Sequence, residues 1–297
     1  MRRSLRLSAS VALLAFALYL LDWTSLVAST AKLTAGVLSV AVLLACVPTV
    51  PLVARWYLLA RGAGGWYACS ARYLYANLLS AVSPGSIAGD IYRYFAFRDR
   101  ERDGATVIEI LVRERIFGLM SMLIGLCVGA VGMQIAGGHG QQWFVSTLAI
   151  AAACGIVALL SLPGIIHHMP DSWRRGLQAA LAIRTSRLDT VLLALSLAAL
   201  ALWVLAVQYV ATRLGLQLSW SMLLVIVTSV ELVRFIPVTV QGIGLREGAF
   251  ATLFGLFGQA HEDGFVLGAI AYIALSLSTV VTGTFGALML ARLKPSA

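Results

Sequence analysis

Charged residues are scarce in this chain. Only 12% of its 297 residues are charged and 60% are hydrophobic, whereas a soluble domain has about 25% charged and roughly 45–50% apolar residues. This composition excludes a soluble globular protein. The apolar runs recur from end to end without a long polar block between them, so we predict a single membrane domain over residues 1–297.

Cysteines and unpaired carboxylates are also few, which argues against metal chemistry. The four cysteines form no Cys-x-x-Cys pair, and we interpret them as small buried apolar residues. The one acidic cluster, Asp99, Glu101 and Asp103, alternates with arginines. A magnesium-dependent phosphosugar transferase needs free oxygen ligands, so we favour a solvated loop here and predict no metal, no cofactor and no catalytic residue.

Six apolar runs are long enough to cross a bilayer. They cover residues 11–27, 33–53, 116–135, 143–166, 191–210 and 265–290. Two other regions, 66–97 and 220–257, are apolar but contain Pro, Gly and charges. Because broken backbone at membrane depth needs protein or water around it, we predict re-entrant hairpins there. The expected fold is an all-α polytopic membrane protein with six transmembrane helices and two re-entrant helical hairpins.

The distribution of basic residues orients this topology. With the N-terminus in the cytoplasm, eighteen of the 22 Lys and Arg fall on the cytoplasmic side, including Arg55 just beyond the second span. Lys32 and Arg213 fall in external loops. This bias is typical of positive-inside insertion and explains the net charge of +9 without nucleic acid. We therefore predict a multi-pass bacterial inner-membrane protein with both termini in the cytoplasm.

The two predicted hairpins share a spacing. Pro84, Gly89 and Arg93 form a Pro-x-x-x-x-Gly-x-x-x-Arg pattern, which recurs 153 residues later as Pro237, Gly242 and Arg246. The same interval relates the second span to the fifth and the third to the sixth. We predict two halves, 1–142 and 143–297, in an inverted-topology repeat, which is a common architecture of secondary transporters. The alternative is two unrelated turns in which Pro and Gly break a helix.

Charged groups near the breaks are the candidate site for an anion, because helix ends and arginines there suit a phosphate. Alternatives stay open: Glu231 and Arg234 as a structural ion pair, Asp90 as a helix cap, and the 113–115 group as interfacial charges. The candidate substrate-binding residues are Asn77, Pro84, Gly89, Asp90, Arg93, Arg113, Glu114, Arg115, Glu231, Arg234, Pro237, Gly242, Gly244, Arg246 and Glu247.

Three of these stretches resemble a known family. Residues 77–93 (NLLSAVSPGSIAGDIYR), the Arg113-Glu114-Arg115 helix start and residues 237–248 (PVTVQGIGLREG) are similar to the transmembrane region of lysylphosphatidylglycerol synthases and their stand-alone relatives. Ala88 stands where relatives often carry a second glycine. The resemblance covers nearly the whole chain and implies re-entrant hairpins and a lipid flippase role. It implies no synthase activity, because the longest polar connection, 167–189, is far shorter than a domain.

We therefore expect a lipid flippase that moves an anionic phospholipid or a polyprenyl-phosphate-linked lipid between the leaflets of the inner membrane, and not an enzyme. The alternative is a membrane-embedded accessory or transferase component of a lipid or polysaccharide synthesis complex. The expected partner is a membrane lipid rather than nucleic acid. A homo-oligomer and lipid-synthesis enzymes are further candidate partners.

Overall fold

The computed structural model describes residues 34–61, 64–83, 87–98, 104–136, 142–166, 187–233 and 244–293. These residues form ten α-helices and no strand, which confirms the all-α prediction for this part of the chain. The helices are α1 (Ala35–Cys46), α2 (Thr49–Leu59), α3 (Gly65–Val82), α4 (Ile87–Phe97), α5 (Gly104–Ile135), α6 (Gln142–Ile166), α7 (Arg187–Leu214), α8 (Trp220–Val233), α9 (Leu245–Leu256) and α10 (His261–Arg292).

Four helical segments are long and apolar enough to cross a membrane, each with 25–32 residues. They are Ala35–Leu59, Thr106–Ile135, Arg187–Leu214 and His261–Arg292. This confirms a multi-pass membrane protein and the second, third, fifth and sixth predicted spans. The predicted span 11–27 lies outside the described residues, and the predicted span 143–166 coincides with helix α6. The total of six spans therefore stays a prediction.

The first described span is built from two helices. The Thr34 side chain caps α1 by accepting from the Val37 backbone N–H over 3.3 Å. Pro48 precedes α2, where a proline is tolerated because the first turn has no intrahelical donor to lose. The segment continues to Leu59, whereas the predicted span ended at residue 53. Arg55, which we expected beyond the span, therefore lies inside it and is buried.

Short helices flank both predicted breaks. Helices α3 and α4 have 18 and 11 residues, and α8 and α9 have 14 and 12. All four are shorter than the roughly 20 residues that a span requires, and the members of each pair pack against one another. Pro84 and Pro237, at the predicted turns, lie outside the described residues. The pairs fit re-entrant hairpins, which stay a prediction.

The chain forms two compact units. Unit 1 comprises the described residues of Met1–Val47, Ile124–Ala152 and Ala201–Ser278. Unit 2 comprises those of Pro48–Leu123, Ala153–Leu200 and Thr279–Ala297. Each unit contains one of the short helix pairs: α8 and α9 in unit 1, α3 and α4 in unit 2. The division into repeat halves 1–142 and 143–297 stays a prediction.

Glycines permit close helix packing within each unit. In unit 2, a Cβ on Gly286 of α10 would collide with the α3 backbone at Tyr75. In unit 1, a Cβ on Gly129 of α5 would lie 3.0 Å from the Ser221 carbonyl oxygen of α8. Small residues are the usual means of helix association in membranes, where lipid tails remove most of the hydrophobic driving force. These contacts fix the positions of α3 and α8 against long helices.

Candidate functional site

Glu114, in the N-terminal third of α5, is the centre of a buried polar cluster in unit 2. Its side chain is 7% exposed. The Arg55 guanidinium donates to Oε1 over 3.2 Å, and the Arg93 guanidinium donates to Oε2 over 2.8 Å. The Tyr73 hydroxyl also donates to Oε1, over 3.3 Å. A carboxylate at such a position is costly unless it is paired, so these three donors explain how α5 carries it.

Arg93 is held between two aromatic rings. Its Cζ atom lies 4.9 Å from the centroid of the Trp56 ring and 4.6 Å from that of Tyr73. A terminal nitrogen donates to Oδ1 of Asn77. This arrangement uses the planar shape of the guanidinium group, which stacks on rings and donates in several directions at once.

Three donor atoms of this cluster have no hydrogen-bond partner in the described part of the chain. They are the Nε atoms of Arg55 and Arg93 and the Nε1 atom of Trp56, and all three are buried. The other bond of Arg55 goes to the Ser196 hydroxyl, 2.8 Å away. Two buried arginines therefore share one buried glutamate, and the cluster has an excess of positive charge and of donors.

The residues on either side of Glu114 point to other helices. Arg113 pairs with Asp189 at the start of α7, and its distance to Glu109 is 3.9 Å. Arg115 pairs with Asp90 of α4 over 2.7 Å, and its side chain is 53% exposed. Asp90 also lies 3.8 Å from Arg93. The structure thus brings together Asn77, Asp90, Arg93, Glu114 and Arg115, all predicted from the sequence.

Unit 1 contains a second buried cluster, around Tyr272 of α10. The Arg246 Cζ atom lies 4.1 Å from the centroid of the Tyr272 ring. The Tyr272 hydroxyl donates to Oε1 of Glu231 over 2.7 Å. Trp203 of α7 and Phe250 of α9 contact the same ring, with centroids 5.8 and 6.1 Å away. Arg246 and Glu231 are both buried.

Gly244 and Glu247 form the start of α9. Gly244 has a φ of 80° and precedes the helix, in the left-handed region that glycine adopts without a Cβ clash. The Glu247 carboxylate accepts from the Gly244 backbone N–H over 2.8 Å, as in a capping box. Glu247 therefore satisfies a helix terminus, which is a structural role beside the predicted binding role.

The two clusters share their composition. Each has an arginine from the helix that follows a break, stacked on a tyrosine whose hydroxyl donates to a glutamate and whose ring contacts a tryptophan. The tryptophans come from corresponding spans, α2 and α7. The tyrosine and glutamate exchange places: Tyr73 and Glu231 are on the first hairpin helix, whereas Glu114 and Tyr272 are on the following span.

The shared Pro-x-x-x-x-Gly-x-x-x-Arg motif does not place its arginine at the same position of the following helix. Arg93 is the seventh residue of α4, whereas Arg246 is the second residue of α9. Gly89 permits close packing, because a Cβ there would overlap the carbonyl oxygen of Ala76 on α3. The predicted site residues Pro84, Arg234, Pro237 and Gly242 lie outside the described residues.

A comparison with protein families identifies the chain. The model of the family described as "Lysylphosphatidylglycerol synthase TM region" matches residues 4–286. The chain belongs to this family. Comparisons with curated proteins and with solved structures found no match. Membership of the lysylphosphatidylglycerol synthase TM-region family confirms the resemblance and places the chain among membrane proteins related to lipid handling.

Sequence reasoning missed several residues that complete the two clusters of this family member. Arg55 was counted as an interfacial charge, and the aromatic partners were treated as ordinary apolar residues. The missed residues are Arg55, Trp56, Tyr73, Asp189, Trp203 and Tyr272. One signal was available: Arg55-Trp56-Tyr57 follows an apolar run with no glycine or charged residue between, which allows the helix to continue through the arginine.

Proposed function

We propose that this protein is a lipid flippase that moves an anionic phospholipid or a polyprenyl-phosphate-linked lipid between the leaflets of a bacterial inner membrane. The observation that carries the proposal is the buried cluster in which Arg55 and Arg93 share Glu114. Charged groups at membrane depth are expensive, and proteins retain them for substrate pathways. An excess of arginine at such a place suits a phosphate group.

The cluster has the donors that a phosphate requires. With Asp90 and Arg115 included, it contains three arginines and two carboxylates, which leaves one positive charge without a counterion. The unused Nε atoms of Arg55 and Arg93 add donor capacity. Guanidinium groups bind phosphate oxygens in a bidentate manner, which lysine cannot do. A lipid phosphate is therefore a fitting counterion for this cluster.

The cluster in unit 1 supports a second half-site and an inverted repeat. Arg246 stacks on Tyr272 as Arg93 stacks on Tyr73. The helices that supply the two arginines correspond in the predicted repeat, whereas those that supply the two tyrosines do not. Transporters with inverted repeats build their substrate sites from broken helices of both halves. We infer that Arg93 and Arg246 each bind a lipid phosphate, in a fold of six spans and two re-entrant hairpins.

The proposed role is transport and not catalysis. It assigns the N- and C-termini to the cytoplasm, following the positive-inside distribution of the basic residues. The second candidate is an accessory or transferase component of a lipid or polysaccharide synthesis complex.

The test is Arg246→Lys, which keeps the charge and removes the planar fork. In vesicles reconstituted with the purified protein and a fluorescent anionic phospholipid, we expect translocation to slow at least about tenfold, equivalent to about 1.4 kcal/mol. The matched control is Arg213→Lys, because Arg213 also lies over a tyrosine ring, at 5.2 Å from Tyr209, but is exposed. Wild-type translocation by both Arg246→Lys and Arg246→Ala would contradict the proposal.

A further inference from the structure

A cavity of about 450 Å³ lies in unit 2. Its apolar wall is formed by Leu59, Ala60 and Ile110, which are buried. Its polar wall consists of Arg61, Thr106, Glu109 and Arg113. The volume is within the range of small-molecule sites, about 300–1,000 Å³. The lining combines polar groups of both charge signs with apolar side chains, which suits an amphiphile.

Arg61 is the free cation of this cavity. It is exposed and forms no ion pair with any side chain in the described ranges. Its φ of 48° is the one positive value among the described non-glycine residues. A left-handed conformation costs an L-residue roughly 1–2 kcal/mol, and strained residues of this kind concentrate at functional sites. Glycine would adopt this position without strain, whereas Arg61 holds a charged side chain there at a conformational cost.

Arg113 and Glu109, the other two charged residues of the cavity lining, differ in how far an ion pair already neutralises them. Arg113 is neutralised by Asp189, which is buried outside the cavity lining. Glu109 is 30% exposed, and its only ion pair within the described ranges is the long 3.9 Å contact with Arg113. The cavity therefore offers one available cation, Arg61, and one available carboxylate, Glu109. A ligand with a single charge would pair with only one of these two side chains. The other would lose contact with water without gaining a counterion, which is unfavourable.

The end of α2 stabilises the charge of Arg61. Leu59 is the last residue of α2 and Ala60 its C-cap, so Arg61 directly follows the negative end of that helix dipole. A cation at such an end is favoured by about 0.3–1 kcal/mol. The helix end therefore stabilises the Arg61 guanidinium where no carboxylate of the described ranges pairs with it.

We propose that this cavity binds a phosphate ester that carries a primary ammonium group, with the phosphate at Arg61 and the ammonium at Glu109. The apolar wall of Leu59, Ala60 and Ile110 would contact the hydrocarbon next to the headgroup. The cavity lining includes none of the residues that form the Arg93 and Arg246 clusters, and the inference does not depend on translocation. Two sources share the ligand chemistry: a zwitterionic phospholipid headgroup and a free phosphorylated amine.

Binding of short-chain lipids to the full-length protein in detergent tests this assignment. The probes are dihexanoyl phosphatidylethanolamine and dihexanoyl phosphatidylglycerol, used below their micelle concentrations in isothermal titration calorimetry. They share the acyl chains and the phosphate and differ in the ammonium group. We expect wild type to bind the ethanolamine lipid about tenfold more tightly, a difference of about 1.4 kcal/mol.

Two substitutions separate the two charges. Glu109→Gln should reduce this tenfold preference to less than about threefold and leave phosphatidylglycerol binding unchanged. Arg61→Gln should weaken both lipids about tenfold, because both need the phosphate contact. Arg213→Gln, at an exposed arginine of unit 1, should change neither. Glu109→Asp keeps the carboxylate and should keep the preference, which controls for a folding defect in Glu109→Gln.

The outcomes decide the proposal. Equal affinity of wild type for the two lipids, or an undiminished preference in Glu109→Gln, would overturn it. Free phosphoethanolamine identifies the source: affinity equal to that of the lipid indicates a soluble ligand, and much weaker affinity indicates a headgroup. Arg246→Lys should keep the wild-type preference for the ethanolamine lipid over phosphatidylglycerol even if its translocation fails, because that preference depends on Glu109. A failure of the flippase proposal and a failure of this site are therefore distinguishable.

Discussion

Glu114→Gln should destabilise the protein more than the loss of any other single charge described above. The substitution keeps the size of the side chain and one acceptor oxygen but removes the negative charge. Arg55 and Arg93, each with a side chain 7% exposed, would then lose the carboxylate that they share. The Tyr73 hydroxyl would keep an acceptor in the glutamine carbonyl, so the loss is mainly electrostatic.

The magnitude follows from the burial of this group. Removing one partner of a buried ion pair costs about 3–5 kcal/mol, because the remaining charge is left uncompensated. The glutamine carbonyl can still accept one hydrogen bond, so we expect a loss of about 3 kcal/mol in the free energy of unfolding. Glu109→Gln is the matched control on the same helix, because its carboxylate is partly exposed and its contact with Arg113 is long. A partly exposed pair contributes about 1 kcal/mol or less.

Denaturant unfolding of both variants in the same detergent, followed by circular dichroism, measures the two losses. A double variant, Glu114→Leu with Arg93→Met, should recover part of the stability, since an apolar replacement of a buried pair is often tolerated. If Glu114→Gln is no more destabilising than Glu109→Gln, then Glu114 is not the counterion of a buried cluster, and the argument for an excess of positive charge fails with it.

Three other predictions concern packing, surface charge and topology. Gly89→Ala should destabilise the protein by about 1–3 kcal/mol through overpacking against Ala76, whereas Gly248→Ala, with nothing within 4 Å of an added Cβ, should be neutral or stabilising in the same unfolding assay. Arg115→Ala should cost less than about 1 kcal/mol at low salt and almost nothing at high salt, because its pair with Asp90 is half exposed; a large loss at high salt would contradict this. Single cysteines should react with an impermeant reagent added outside at His139, Arg213 and Glu262 but not at Arg100 and Arg175, and external labelling at Arg100 would refute the predicted orientation.

The long helices were predictable because each contains one uninterrupted apolar run. In α5 and α10 the apolar run itself defines the helix, and its length is set by the thickness of the bilayer. The ends of helices were less predictable. The second span was expected to stop at residue 53, because Arg55 raises the apparent polarity there. The helix continues to Leu59 since Glu114 and Ser196, distant in sequence, supply partners for the guanidinium.

The candidate site was predictable in part. The arginines after each break and the carboxylates near them were identified from their cost in a membrane. Their partners were not, because spacing along one helix determines which face a residue occupies but not which helix lies opposite. Arg113, Glu114 and Arg115 formed one group in the sequence, yet they contact Asp189, Arg93 and Asp90 respectively. Aromatic partners such as Tyr272 carry no distinguishing signal in an apolar sequence.

The three charged residues at 113–115 also connect α5 to several neighbouring helices. Successive residues on an α-helix are rotated by about 100°, so these neighbouring side chains point in three different directions. Arg113 pairs with Asp189 of α7, Glu114 contacts residues of α2, α3 and α4, and Arg115 pairs with Asp90 of α4. Rotation of α5 about its own axis would therefore break the interactions of all three residues together. A conformational change that preserves these interactions must move α2, α3, α4 and the first turn of α7 together with α5 as one rigid body.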